Sequence, residues 1–237
     1  MKTYPQLPSQ PIGKLLLIGA GLIGGSLTLA LKKAKVVQHV TGVGRRESVM
    51  REALQLGLID DFVAPNTPEY AQAVANADII VLAMPVGQTQ TVLRDLLPHL
   101  APHTIITDAG STKQSVYEDA LAVLGNKIKQ FVLAHPIAGR EVNGPSAALA
   151  DLYVGKKIMV CPTEHNSAAQ IRTVVGMWQA TGGHVYELDL NAHDAIFAAV
   201  SHVPHVLAYA LMNHVADDAL CDDKFAIAGA GFRDFTR

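Results

Sequence analysis

Apolar residues fall along this chain in two rhythms. Short unbroken runs rich in Leu, Ile and Val alternate with longer stretches whose apolar positions recur every three to four residues. The first rhythm is that of a strand buried on both faces, and the second marks a helix with one buried side. Runs at Lys14–Ile18, Val37–Val43, Ile79–Ala83, Thr104–Thr107, Gln130–Ala134 and Lys156–Cys161 predict strands. Helical spacing at Leu22–Lys33, Arg46–Leu56, Gln90–Leu97, Ser115–Val123 and Ala168–Thr181 predicts helices, with Gly57 as a stop after the second. Alternating strand and helix predicts an α/β fold, a mostly parallel sheet with helices on both faces.

After about Leu190 the pattern changes. Ala192–Val215 is a long alanine-rich helical stretch carrying four histidines and interrupted at Pro204, and no strand is evident from there to Arg237. Residues 1–188 therefore read as one α/β domain, and residues 189–237 as the start of an all-helical one. So short a second part is small for a core of its own, so the chain reads as a fragment or as needing a partner chain. Met1–Pro11 is polar and proline-bearing, without the apolar centre of a signal peptide, and predicts a loose arm.

Composition narrows the function. The 237 residues hold 19 Lys and Arg against 21 Asp and Glu, a formal net charge of −2. Such a balance excludes a strongly basic nucleic-acid binder. Apolar residues reach 49% with a mean hydropathy of +0.22, enough to build a core. Cys161 and Cys221 form neither a disulfide framework nor a zinc pattern, which suits a reducing cytoplasm. No unbroken apolar run approaches the roughly 18 residues of a membrane span, so no membrane is expected.

Gly19-Ala20-Gly21-Leu22-Ile23-Gly24 fits G-x-G-x-x-G, directly after a predicted strand and at the opening of a helix. In that context Gly19 allows the tight turn, Gly21 lets backbone approach a pyrophosphate, and Gly24 lets helix and strand pack closely. The helix start offers free N–H groups to the phosphates. The bland alternative is three packing glycines. Together with the alternation, the motif makes the sheet Rossmann-type. The second strand ends in Gly44-Arg45-Arg46, where an NAD site usually carries Asp or Glu for the ribose. Arginines bind a 2′-phosphate that a carboxylate would repel, so NADP is favoured and NAD is the alternative. Met84-Pro85 and Thr107–Lys113 end the next two strands, where cofactor passes in such sheets, and Ser111 stands within reach of substrate. Ordinary turn chemistry would explain both segments equally well.

His135 lies at the carboxyl end of the Gln130–Ala134 strand, beside the inferred cofactor edge, and can serve as base or hydrogen-bond partner for an alcohol losing hydride. His202 and His205 could bind a metal as a pair, but no third ligand is evident, and no metal is expected.

Five segments together resemble the prephenate/arogenate (cyclohexadienyl) dehydrogenase family of tyrosine biosynthesis. They are Gly19–Ser26, Asp108–Lys113, His135-Pro-Ile-Ala-Gly139, Ser201-His-Val-Pro-His205 and Gly231-Phe-Arg-Asp-Phe-Thr-Arg237. The resemblance implies an NADP- or NAD-dependent oxidoreductase that converts prephenate or arogenate to 4-hydroxyphenylpyruvate or tyrosine. Hydride leaves ring C4 for the nicotinamide, carbon dioxide leaves C1, and the ring becomes aromatic. It further implies that His135 takes the C4 hydroxyl proton and that Ser111 holds that hydroxyl and the nicotinamide. Glu141 would act in substrate access, His193 and His205 would line the substrate pocket, and Arg237, with Arg233 nearby, would bind substrate carboxylate. A cytoplasmic homodimer joined through C-terminal helices is the implied assembly. Two departures stand out. Arg140 occupies a position where many relatives have threonine, and the family normally continues well beyond Arg237. The competing readings are another Rossmann β-hydroxyacid or imine oxidoreductase, and a non-catalytic NADP-binding fragment.

Overall fold

The computed structural model describes residues 1–7 and 10–236. The chain divides into two compact units, Met1–Leu190 and Asn191–Arg237. Among the described residues the first unit holds one nine-stranded sheet: β1 (Lys2–Thr3), β2 (Ile12–Ile18), β3 (Val37–Val43), β4 (Asp61–Val63), β5 (Ile79–Leu82), β6 (Ile105–Asp108), β7 (Phe131–Pro136), β8 (Lys157–Cys161) and β9 (His184–Glu187). The spatial order is β1-β9-β8-β7-β6-β5-β2-β3-β4. From β4 to β7 all neighbours are parallel. That order is the doubly wound one, with its switch point between β2 and β5. The strands β7 and β8 are antiparallel, β8 and β9 parallel, and β9 and β1 antiparallel.

Six helices connect these strands: α1 (Leu22–Lys33), α2 (Glu47–Gln55), α3 (Pro68–Asn76), α4 (Thr89–Leu96), α5 (Gln114–Leu124) and α6 (Ala168–Ala180). The central strands are covered on both faces. Leu15, Leu16, Leu17, Ile80 and Val81 are all buried, which is why they read as unbroken apolar runs. Burying each such side chain stabilises the fold by about 1.5–3 kcal/mol.

Three elements carry little apolar signal and are absent from the sequence reading. The strand β4 is three residues long, and β9 is a four-residue alternating segment. Helix α3 buries only Tyr70 and Val74, but its start is written locally: Thr67 Oγ1 accepts from Tyr70 N, and Pro68 takes the first turn.

The expected loose arm is a correction. Lys2 and Thr3 pair with Glu187 and Tyr186, and Tyr4 N donates to Val185 O at 3.2 Å. Leu7 N donates to Gln179 Oε1, and Gln179 Nε2 donates to Pro5 O, each at 2.9 Å. The β1 pairing and the Tyr4 bond are backbone ones, the Gln179 side chain ties Pro5 and Leu7, and the pairing covers the edge that β9 would otherwise expose.

In the second unit, every element among the described residues is helical. Helix α7 (Leu190–Phe197) passes through a π-type turn, Ala198–His202, into α8 (Val203–Ala216), followed by α9 (Cys221–Ala226) and α10 (Ala230–Thr236). The interruption expected at Pro204 does not occur. The helix runs for 27 residues, Leu190–Ala216. A proline ring crowds the carbonyl four residues back, and the wider turn just ahead of Pro204 absorbs it. By length and composition this helix is also apolar enough to cross a membrane, contrary to the expectation that no segment reaches that length. Its alanines raise the average without making an unbroken run.

Candidate active site

The glycine turn bridges the two strands of the switch point. Gly19 has φ +100°, and a Cβ there would sit 2.5 Å from the Ala83 carbonyl oxygen. Ala83 N in turn donates to Ile18 O at 2.8 Å, so the ends of β2 and β5 are stitched at the turn itself. A Cβ on Gly24 would lie 2.3 Å from Gly19 O, whereas one on Gly21 would meet nothing within 4 Å. Position 21 thus opens onto free space at the start of α1. Gly21 makes no side-chain cap, and the first turn of α1 holds no acidic residue. The helix ladder begins with Gly25 N donating to Gly21 O at 2.8 Å, so the N–H groups of Leu22, Ile23 and Gly24 have no acceptor within the helix. Free donors, a helix dipole and an open cradle fit a dinucleotide pyrophosphate.

Two bonds from a distant segment steady the same turn. Tyr153 Oη donates to Ile23 O at 2.6 Å, and Leu149 N donates to Ser26 Oγ at 2.9 Å. Burial of Tyr153 raises its phenol pKa above the usual range, so the hydroxyl stays a donor.

At the end of β3, Arg45 and Arg46 are exposed, and Arg46 is the N-cap of α2 without a side-chain cap bond. Arg45 Nη2 donates to Gln88 Oε1 at 3.5 Å, from the segment that follows β5. Because β2 lies between β3 and β5, this contact reaches over the strand that ends in the glycine turn. Position 44 carries no carboxylate, and a Cβ there would sit 2.7 Å from the flexible end of Met50. Two exposed guanidinium groups at the end of β3, with the neighbouring Glu47 carboxylate engaged by Arg51, fit a 2′-phosphate. Met84 and Pro85 follow β5 at the same edge.

Ser111 is exposed in the turn after β6. His135 is half-buried near the end of β7 and pairs in register with Met159 of β8. Glu141 is exposed in the following loop, where Arg140 Nη1 donates to Ala147 O at 3.2 Å. The structure thus gathers Gly19, Gly21, Leu22, Ile23, Gly24, Gly44, Arg45, Arg46, Met84, Pro85, Ser111 and His135 at the carboxyl edge of five neighbouring parallel strands.

A buried pair went unread in the sequence. Lys113 Nζ donates to Asp108 Oδ2, with side-chain exposures of 0% and 4%. The signal was present: an acid that ends an apolar strand is buried, and the first lysine after it lies five residues on.

In the second unit, His193 is buried, its Nδ1 lies 2.7 Å from Asp194 Oδ1, and its ring centroid lies 4.6 Å from that of Phe197. His205 on α8 and Arg233 on α10 are exposed. Arg237 lies outside the described residues.

Sheet order, glycine turn and helical second unit define a dinucleotide-binding Rossmann protein. The family model described as prephenate dehydrogenase, nucleotide-binding domain, matches residues 27–187, and that for the prephenate dehydrogenase dimerization domain matches residues 189–237. The chain belongs to the prephenate dehydrogenase family. It is 34% identical over 226 residues to the prephenate dehydrogenase of Bacillus subtilis strain 168, covering 94% of this chain and 59% of that protein. It is 33% identical to the cyclohexadienyl dehydrogenase of Zymomonas mobilis, covering 93% of this chain and 74% of that protein. The chain therefore spans about three-fifths of the Bacillus relative's length. Among solved structures, it is similar to prephenate dehydrogenase from Aquifex aeolicus in complex with hydroxyphenyl propionate and NAD+, with a TM-score of 0.85 and 31% identity over 98% of this chain and 79% of that one. Synechocystis arogenate dehydrogenase is similar at a TM-score of 0.76 and 28% identity, covering 94% of this chain and 78% of that one.

Proposed function

We propose that this chain supplies the cofactor domain and part of the substrate site of an enzyme that oxidatively decarboxylates prephenate or arogenate, with NADP preferred over NAD. One observation carries the reading: the glycine turn, Ser111 and His135 stand at one edge of the parallel part of the sheet. The named relatives support the substrate class, since they are prephenate, cyclohexadienyl and arogenate dehydrogenases. The Arg45–Arg46 pair supports NADP.

A bound oxidised nicotinamide supplies the acceptor for the hydride that leaves ring C4. The chain's own groups do the rest. His135 accepts the C4 hydroxyl proton as the carbonyl forms, and Ser111 fixes the direction of that hydroxyl. The C1–carboxylate bond then breaks, its electron pair enters the ring, and carbon dioxide departs. The phenolate oxygen so formed regains the proton, which leaves His135 ready for another cycle. Aromatisation makes the sequence irreversible. Glu141 acts in substrate access, His193 and His205 line the substrate side, and Arg233 and Arg237 bind substrate carboxylate, for which guanidinium is the best match.

The assembly we infer is a cytoplasmic homodimer formed through the C-terminal helices. The dimerization-domain match supports it, as do the exposed Val203, Val206, Leu207 and Tyr209 on α8. Absorbance at 340 nm tests the activity: the purified chain is mixed with prephenate or arogenate, each with NADP and with NAD. Reduction in any mixture supports the reading. Silence in all four overturns it for this chain if dinucleotide binding is intact.

A further inference from the structure

The backbone ladder between β6 and β7 ends early. Its last pairs are Ile106 with Phe131 and Thr107 with Val132. Beyond them, the two strands that carry the Ser111 turn and His135 are joined by side chains instead. Asp108 Oδ1 accepts from Ala134 N at 3.0 Å, and Lys113 Nζ donates to Ala134 O at 2.8 Å. Both backbone groups of the residue before His135 are thus held by one ion pair. The pair also holds the turn. Asp108 Oδ2 accepts from Gly110 N at 2.9 Å as well as from Lys113 Nζ. A Cβ on Gly110 would lie 2.9 Å from Asp108 Oδ2 and 3.0 Å from Val86 Cγ2, so the turn is pressed onto the carboxylate and onto the segment after β5.

We propose that Asp108 and Lys113 are positioning residues: their buried pair replaces the missing ladder and fixes the Ser111 turn relative to His135. The proposal rests on the reading above for what Ser111 and His135 do, but its geometry stands without it. A pair that only filled space would be a poor choice. Burying two charges is expensive, and apolar residues of similar volume often serve stability as well or better. What apolar residues cannot do is hold the N–H and carbonyl of Ala134 and the N–H of Gly110 together.

That contrast sets the experiment. Lys113→Met strands a buried carboxylate, so it lowers both stability and turnover. The double variant Asp108→Leu/Lys113→Met removes the stranded charge. Its melting temperature is expected to recover only part of the loss, because the charge is gone but the backbone groups of Ala134 and Gly110 stay unpaired. Its kcat on prephenate is expected to stay about 100-fold down, the scale of a misplacement near 1 Å, with KM and the NADPH dissociation constant within about threefold of wild type. Hydrogen exchange gives a second readout that needs no substrate. Peptides covering residues 109–112 and 133–137 exchange faster in the double variant, while those covering β2 and α1 do not. Recovery of kcat along with stability overturns the proposal, as does unchanged exchange at both segments. If wild type itself turns nothing over, the functional reading fails and exchange alone decides the positioning role. If the double variant does not fold, Asp108→Asn, which keeps the volume but loses one acceptor oxygen, reads the exchange at residues 109–112.

Discussion

A Cβ on Gly24 would stand 2.3 Å from the carbonyl oxygen of Gly19, whereas a Cβ on Gly21 would touch nothing. Two glycines of one motif therefore have different jobs, and alanine separates them. Gly24→Ala forces backbone apart, because a carbonyl in a tight turn has nowhere to move. We expect a loss of about 1–3 kcal/mol in urea unfolding. Gly21→Ala leaves the midpoint within about 0.5 kcal/mol, as at any substitution without a contact to lose, but its methyl occupies the cradle. Dinucleotide affinity, measured by quenching of intrinsic fluorescence, falls at least tenfold. Equal stability losses for the two variants would contradict this division.

Arg45 and Arg46 stand where a ribose-binding carboxylate is absent. Replacing both with alanine removes charge-assisted bonds worth about 1.5–3 kcal/mol each from a 2′-phosphate. NADP affinity is expected to fall by tenfold or more, and NAD affinity to change less than threefold. Titration calorimetry with both cofactors checks it. A parallel loss for the two would assign the arginines to the fold of the α2 start.

His135 is half-buried at the substrate edge rather than locked in the core. His135→Asn keeps a polar side chain and removes the base. A drop in kcat of about 10²–10⁴-fold is expected, with the cofactor dissociation constant unchanged. Were both to fall together, the histidine would be a structural member of β7.

Asp60 supplies a pH signature of the fold. Burial alone would raise its pKa, but the Lys32 ammonium at 2.7 Å and the Val40 N–H at 2.8 Å more than offset this and hold it below the ordinary value. Its contribution is therefore complete above the unfolded carboxylate range, near pH 4, and is lost as pH falls through the lower folded value. At pH 7, Asp60→Asn is expected to destabilise by about 1 kcal/mol, a modest figure because both partners are partly exposed. The gap between variant and wild type closes in acid. Chemical denaturation at pH 7, 5 and 3 measures it, and a gap that stays constant with pH refutes the assignment.

The tie from Tyr153 Oη to Ile23 O crosses 130 residues of chain to reach the first turn of α1. Tyr153→Phe keeps the ring and its edge contact with Trp178 but leaves a buried carbonyl short of a partner. We expect about 1–2 kcal/mol of lost stability and faster hydrogen exchange confined to residues 21–26. Faster exchange spread over the whole sheet would mean that the hydroxyl supports packing generally.

Sequence alone determined whatever rests on strong local chemistry. Strands buried on both faces must be unbroken apolar runs, so β2, β3, β5 and β6 were legible to within a residue or two. A glycine motif between strand and helix marks a tight turn and a helix start, so the turn at Gly19 and the start of α1 at Leu22 were legible too. Tertiary structure decided whatever rests on bonds between distant segments. The arm Lys2–Thr3 has no apolar pattern, yet it becomes a strand because β9 offers it backbone partners. The helix through Pro204 continues because a wider turn relieves a clash, which no propensity encodes. Asp108 and Lys113 read as one acid and one base among many. Only folding brings them to Ala134, where a side-chain pair substitutes for backbone hydrogen bonds that the two diverging strands no longer make.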